Sequence, residues 1–327
     1  MASAGVAEAI SGEGVQIRRG EARSNGRPVA AVDFSAASAR FPYVLTLPQL
    51  RTEAILETRL RDLDPHALVR GAKVDSLHDD GGRVRLHGTA GPAGQEFETS
   101  ARITVAADGA RSPLRRLLGT PCRTRDLPDT YLMGDFADTT GDGPVGVLYL
   151  ESGGIVESFP LPGGIRRWVA HTDTLLSGAT AEDLSALVFE RTGVRPDPRS
   201  NTMLSAFSVR TGLARDLVRG RTVLIGDAAH EVSPIGGQGM NLGWLDAAAL
   251  APIIGASLDG HDVGAALAAF GRDRRRAAGV ASLQAQLNMA LGRPLPPRLL
   301  AVRNAGLSGL FRVPAVGHLV ARRFTMQ

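Results

Sequence analysis

The chain has 327 residues, 43% of them hydrophobic, and a formal net charge of +4; it can bury a large core, divides naturally into two domains and is not a disordered polymer. The basic balance does not mark a nucleic-acid binder, because Lys73 is the single lysine among 37 basic residues and the arginines are spread along the whole chain. One cysteine, Cys122, excludes an internal disulfide and a cysteine metal cluster; with no signal-peptide core and no apolar run approaching about 20 residues, a cytoplasmic protein without a membrane span is expected.

Met1 to Ile10 has alanine-rich helical character that Gly5, Gly12 and Gly14 cut short. Val15 to Arg19 and Val29 to Phe34 read as strands around the turn residues Asn25-Gly26. A helix is predicted from Pro48 to Leu63, with proline at its start and Leu50, Ala54, Leu56, Leu60 and Leu63 at helical spacing. Arg51 lies in its first turn, where a cation opposes the helix dipole, so it is either a solvated arginine or one that faces a phosphate. Ala67 to Leu77, Arg83 to His87 and Glu96 to Ala107 follow as a β-meander. The last strand runs into Asp108-Gly109-Ala110-Arg111-Ser112-Pro113, where Ser112 and Pro113 suit the N-cap and first residue of a short helix.

From Thr124 to about Thr211 the texture changes to strand-like runs, Tyr131 to Phe136, Val145 to Glu151, Gly154 to Phe159 and Arg166 to His171. One helix, Glu182 to Arg191, interrupts them, and a strand from Thr202 to Arg210 closes the segment. Arg221 to Asp227 is then a short buried strand, since Val223, Leu224 and Ile225 are consecutive and apolar and Gly226 ends the run. Asp227 falls at its carboxyl end, where open α/β sheets bind ligands. A loop with Pro234, Gly236, Gly237 and Gly239 leads into a helix from about Met240. Glycines let backbone approach a flat ligand, and the helix start leaves free N–H groups and partial positive charge for an anion, or for a ring that becomes one. After residue 250 the chain is helical, and Arg272 to Arg276 is most simply a solvated face.

Singly these signals are modest; together they are specific. A strand, Asp227, His230, Pro234 and GGQGMN opening a helix, with a distant strand ending in Asp108-Gly109-Ala110-Arg111-Ser112, resemble the flavoprotein monooxygenases of the para-hydroxybenzoate hydroxylase type. The resemblance covers most of residues 40 to 280. It implies that Gly226 and Asp227 bind the ribityl chain of FAD, and that Pro234, Gly236, Gly237, Gly239, Met240 and Asn241 wrap the isoalloxazine. It also implies that Asp108, Gly109 and Arg111 serve FAD and NAD(P)H, and that Arg51 helps hold the cofactor, although Ala54 replaces the usual leucine of that helix. No protein nucleophile and no metal are expected, because the cofactor carries the difficult chemistry. His230 lacks the further ligands of a metal site, and Ser112 and Ser233 lack a nucleophile elbow.

The resemblance departs at the start. A dinucleotide fold opens with a strand, a G-x-G-x-x-G turn and a helix, and nothing before residue 48 matches; Ala4 to Ile10 looks like a segment that follows such a unit. A start codon assigned too late is favoured over a truncated gene or a partner chain that supplies the unit. The fold expected is α/β with an α+β substrate domain: an N-terminally incomplete Rossmann-like FAD domain (1–123 and 213–292), an inserted, mostly antiparallel β-sheet domain (124–212) and C-terminal helices (293–327). The function expected from the resemblance is hydroxylation of an aromatic or polyketide-like small molecule with FAD, NAD(P)H and dioxygen, through a flavin hydroperoxide. The alternatives are a flavin halogenase, for which no W-x-W-x-I-P stretch is found, a prenyl-chain reductase, or a non-catalytic remnant.

Overall fold

A computed structural model describes the chain except residues 36, 37, 236 and 325–327. Two compact units emerge, one made of Met1–Asp64, Pro128–Ser208 and Met289–Gln327, the other of Pro65–Leu127 and Val209–Asn288.

The first helix, α1 (Ala7–Glu13), ends where Gly14 turns extended. Strands β1 (Val15–Ile17), β2 (Arg19–Ser24) and β3 (Arg27–Asp33) follow. Asn25 and Gly26, both at positive φ (49° and 70°), close the β2–β3 hairpin; the turn is where the sequence puts it, but the strand before it is Arg19–Ser24, and Val15–Ile17 of the expected Val15 to Arg19 strand pairs with Val44–Thr46 instead. After β4 (Val44–Thr46) comes α2 (Gln49–Leu63), with Pro48 at its N-cap. The meander consists of β5 (Ala72–Asp79), β6 (Val84–Ala90) and β7 (Gln95–Ala101) in that order. The single strand expected from Glu96 to Ala107 is in fact two, because β8 (Thr104–Ala106) leaves the meander for another sheet. The remaining elements are α3 (Pro113–Leu117), β9 (Cys122–Ala137), β10 (Val145–Glu151), β11 (Gly154–Leu161), β12 (Ile165–Thr172), α4 (Ala181–Thr192) and β13 (Met203–Ala214). Then come β14 (Val218–Arg219), β15 (Thr222–Leu224), β16 (His230–Glu231), α5 (Gln238–Leu258), α6 (Gly264–Gly292), α7 (Pro297–Phe311) and α8 (Pro314–Phe324).

In the first unit the sheet order is β13-β9-β12-β11-β10-β2-β3. The pairs of β12 with β9 and β11, of β11 with β10, and of β2 with β3 are antiparallel, whereas β2 joins β10 in parallel, Arg19 opposite Val145. That contact places residues 1–64 with the sheet rather than with residues 65–123. Its partners lie over 120 residues apart, beyond any local sequence signal. One face packs on α4, whose start is fixed by a reciprocal capping box between Thr180 and Asp183. Leu132, Phe136, Val156, Trp168, Leu184 and Val188 form that core, all at most 1% exposed; each contributes roughly 1.5–3 kcal/mol of burial.

In the second unit β15 runs parallel to β8, with β14 on its other side. Adjacent residues of β15 point to opposite faces, and both faces are covered. Val223 meets Leu250, Leu267 and Phe270, while Leu224 meets Ala106, Leu217 and Ala229, so the run is uninterruptedly apolar, as a parallel strand buried on both sides requires. One expectation needs correction: α5, with 21 residues and a mean hydropathy of 1.2, is long and apolar enough by length and composition to cross a membrane. It also carries Asp246, fully buried among polar partners from the rest of the unit.

Candidate cofactor site

The register Thr104↔Thr222, Val105↔Val223, Ala106↔Leu224 puts the carboxyl ends of β8 and β15 side by side, and the Ile225 N–H donates to the Ala106 carbonyl at 3.1 Å. The turn at Asp108 and the turn at Asp227 therefore leave the sheet as neighbours. Arg115 ties them together, its buried guanidinium donating to the Ala110 carbonyl and to the Ala228 carbonyl, each at 2.7 Å. Sequence inspection missed Arg115, because a basic residue in a short helix has no local mark that separates a clamp from a solvated side chain.

The two aspartates are used differently. Asp108 accepts from Ser112 Oγ at 2.5 Å and from the Leu114 N–H at 2.9 Å, and Ser112 in turn accepts from the Arg115 N–H; Asp108 thus helps cap α3. Asp227 has no hydrogen-bond or ion-pair partner among the described residues, and its carboxyl lies in a turn where desolvation raises it above the ordinary value, partly offset by the charge of His230. A carboxylate left free at a strand end can accept from ligand hydroxyls. Gly109, at φ +79°, has open space where a Cβ would stand, and the Arg111 side chain is exposed.

Helix α5 packs against the turn at Asp227. Its N-cap, Gly237, is left-handed (φ 66°, ψ 22°) and supplies no side-chain cap, so among the described residues the first N–H groups have no side-chain acceptor. A Cβ on Gly237 would meet nothing within 4 Å, and Met240 is exposed. Pro234 accepts from the Gly237 N–H, Asn241 Nδ2 donates to the Gly237 carbonyl, and a Cβ on Gly239 would lie 3.7 Å from the Val232 carbonyl. The expected site residue Gly236 lies outside the described residues. Among the described residues Gln238, 2% exposed, has neither its amide nitrogen nor its amide oxygen paired, and His230 Nδ1 is likewise buried without a partner. Buried polar atoms are rarely left so; the unpaired Gln238 amide at an uncapped helix start fits a polar ligand resting there.

Beneath the loop, α5 is fixed to the strand end. Gly243 faces Gly226, and a Cβ at position 243 would lie 3.2 Å from the Gly226 Cα. Asp246 accepts from the Gly226 N–H (3.0 Å) and from Arg274 Nε (2.6 Å), and bonds His230 Nε2 (2.6 Å). Burial works to raise the Asp246 carboxyl, but the bond and charge of His230, the Gly226 N–H and Arg274 outweigh it and hold the group below the carboxylate range. Of the Arg272 to Arg276 run expected to be solvated, Arg274 is therefore turned inward. Arg51 belongs to the first unit, where it forks onto Glu13 at 3.0 and 3.1 Å.

Residues 1–284 match the family model described as "FAD binding domain". The chain belongs to the FAD-binding-domain family. Among curated relatives, the 12-dehydrotetracycline 5-monooxygenase/anhydrotetracycline 6-monooxygenase of Streptomyces rimosus is 33% identical over 291 residues, covering 84% of this chain and 57% of that protein. A 3-(3-hydroxy-phenyl)propionate/3-hydroxycinnamic acid hydroxylase of Burkholderia vietnamiensis is 32% identical over 234 residues, 68% of this chain and 41% of the other. The chain thus spans about half the length of these relatives. Among solved structures, the anhydrotetracycline hydroxylase of Streptomyces rimosus superposes with a TM-score of 0.76 at 29% identity, over 98% of this chain and 64% of that one. The p-nitrophenol 4-monooxygenase of Pseudomonas putida shares the fold, with a TM-score of 0.86 at 24% identity over 99% and 85%.

Proposed function

We propose that this FAD-binding-family chain acts as an FAD-dependent monooxygenase that uses NAD(P)H and dioxygen to hydroxylate an aromatic or polyketide-like small molecule. The observation that carries this reading is the unpartnered Asp227 at the end of β15, next to the second turn at Asp108 and the uncapped start of α5. Relatives at 32–33% identity that are named as monooxygenases of 12-dehydrotetracycline and anhydrotetracycline and as a hydroxylase of 3-(3-hydroxy-phenyl)propionate support the substrate class.

Bound FAD would supply the redox chemistry with dioxygen. Asp227 would accept hydrogen bonds from its sugar-like chain, and the N–H groups of Gln238 to Met240, with the α5 dipole behind them, would stabilise negative charge on the ring. Gln238 would pair its free amide with the ring's edge. Gly109 and Arg111 would complete the grip from the neighbouring turn, and Arg115 and Asp246 would hold both turns in register.

Purified chain with added FAD, assayed for flavin fluorescence and for NAD(P)H oxidation under air, tests the reading. FAD uptake with substrate-stimulated NAD(P)H consumption is expected; a folded chain that takes up no FAD would overturn it.

A further inference from the structure

The arginine run of α6 divides in the structure. Arg274 turns inward onto Asp246, whereas Arg272, Arg275 and Arg276 stay exposed. Arg272 has Arg275 three residues on and Arg276 four residues on, the spacings at which like charges meet on a helix and each pair costs about 0.2–0.5 kcal/mol. Among the described residues none of these three side chains makes an ion pair or a hydrogen bond, although Asp273 stands within the run. Other arginines of the same unit are bound to carbonyls, Arg102 to Ser257 at 2.6 Å, Arg219 to Leu118 at 2.7 Å and Arg221 to Gly81 at 2.6 Å.

The three free guanidiniums border a cavity of about 570 Å³ between α6 and residues 215–218, where β13 passes into β14. Both walls belong to the second unit. Arg215 lines the cavity from the opposite wall and is likewise exposed with no side-chain partner among the described residues, and Asp216 is the one acid in the lining. The floor is apolar. Leu217, 2% exposed, packs with Leu224 and Ala106, and α6 comes close to Val218 because position 271 is a glycine, whose Cβ would lie 3.2 Å from Val218 Cγ2. Repelling cations that the fold leaves unmatched therefore surround a concavity of small-molecule size, where a solvated helix face would present them on a convex surface.

We propose that this groove binds a nucleoside diphosphate group. Guanidinium forks match phosphoryl oxygens two at a time, and the roughly −3 charge of two linked phosphoryl groups answers four arginines less one aspartate. Asp216 accepts from a sugar hydroxyl, and the base lies on the apolar floor with a guanidinium plane beside it. The groove shares no lining residue with the turns at Asp108 and Asp227 or with the start of α5, so the inference goes beyond the monooxygenase reading and does not rest on it.

The test is calorimetric titration of the full chain with ADP, adenosine and inorganic pyrophosphate, with FAD present in excess to compete at the cofactor turns. ADP is expected to bind saturably and about 10- to 100-fold more tightly than adenosine, with pyrophosphate weaker than ADP. Arg272→Gln and Arg275→Gln should each lower ADP affinity about 10-fold and leave FAD affinity unchanged, and Arg275→Lys, which keeps the charge without the fork, should fall between. Arg312→Gln, at an exposed arginine of the first unit, should change nothing. Without nucleotide, Arg272→Gln should keep or slightly raise the thermal midpoint, since it removes like-charge repulsion. No saturable ADP binding, pyrophosphate or adenosine bound as tightly as ADP, or an ADP affinity unchanged in both glutamine variants would overturn the inference.

Discussion

Asp246 shows how one buried side chain can fix the geometry of a candidate site. Fully buried in α5, it gathers the Gly226 N–H, His230 and Arg274, so Asp246→Asn would leave Arg274 without its counter-charge. The expected loss is about 3–5 kcal/mol of unfolding free energy in urea titrations. Because the folded-state carboxyl is held below its ordinary value, this contribution is present above the unfolded carboxylate range and fades as pH falls through the folded value. Glu157 has the opposite sign. Its folded carboxyl is raised to about 7, so it costs nothing below its ordinary range, and the penalty grows as pH rises, becoming complete above about 7, at roughly 3 kcal/mol. Glu157→Gln should therefore raise the thermal midpoint at pH 8 and leave it unchanged at pH 4; equal effects at both would contradict the assignment.

At the scale of elements, the turns at Asp108 and Asp227 depend on two pieces of packing, the Arg115 clamp and the contact of α5 with the strand end. Arg115→Ala strips the Ala110 and Ala228 carbonyls of their donor and is expected to cost about 1–3 kcal/mol, with weaker FAD binding in fluorescence titrations. Gly243→Ala puts a methyl group 3.2 Å from the Gly226 Cα; the strand end must give slightly to admit it, and FAD affinity should fall more than global stability does. The two turns themselves were legible in the sequence, because a strand, an acidic residue and a glycine-rich helix start are all local patterns. Asp108 was legible as a motif yet not as a cap partner, since that role depends on Ser112 and Leu114 closing back onto it. Arg115, Asp246 and Arg274 stayed hidden for a common reason: their partners lie across an element or a whole domain's length of chain.

At the scale of the molecule, the chain crosses between its two units near residues 64, 127, 208 and 288, a layout visible from sequence only in its middle segment. The texture of strands after Thr124 marked the sheet, but nothing near residue 19 announces a parallel partner at Val145. The C-terminal stretch is tied to the first unit by Arg293, whose fork closes on the buried Asp129. Arg293→Ala should leave that carboxylate with His171 as its remaining partner at 3.5 Å and increase hydrogen exchange in residues 289–303; unchanged exchange there would show that the fork does not hold the tail. Asp227 stands at the end of β15 with no hydrogen-bond or ion-pair partner among the described residues. The most direct test of the account is FAD titration of the wild-type chain and of Asp227→Ala, followed by flavin fluorescence. The account expects saturable binding by the wild type and an affinity about 10- to 100-fold lower in the folded variant, and equal affinities would contradict it.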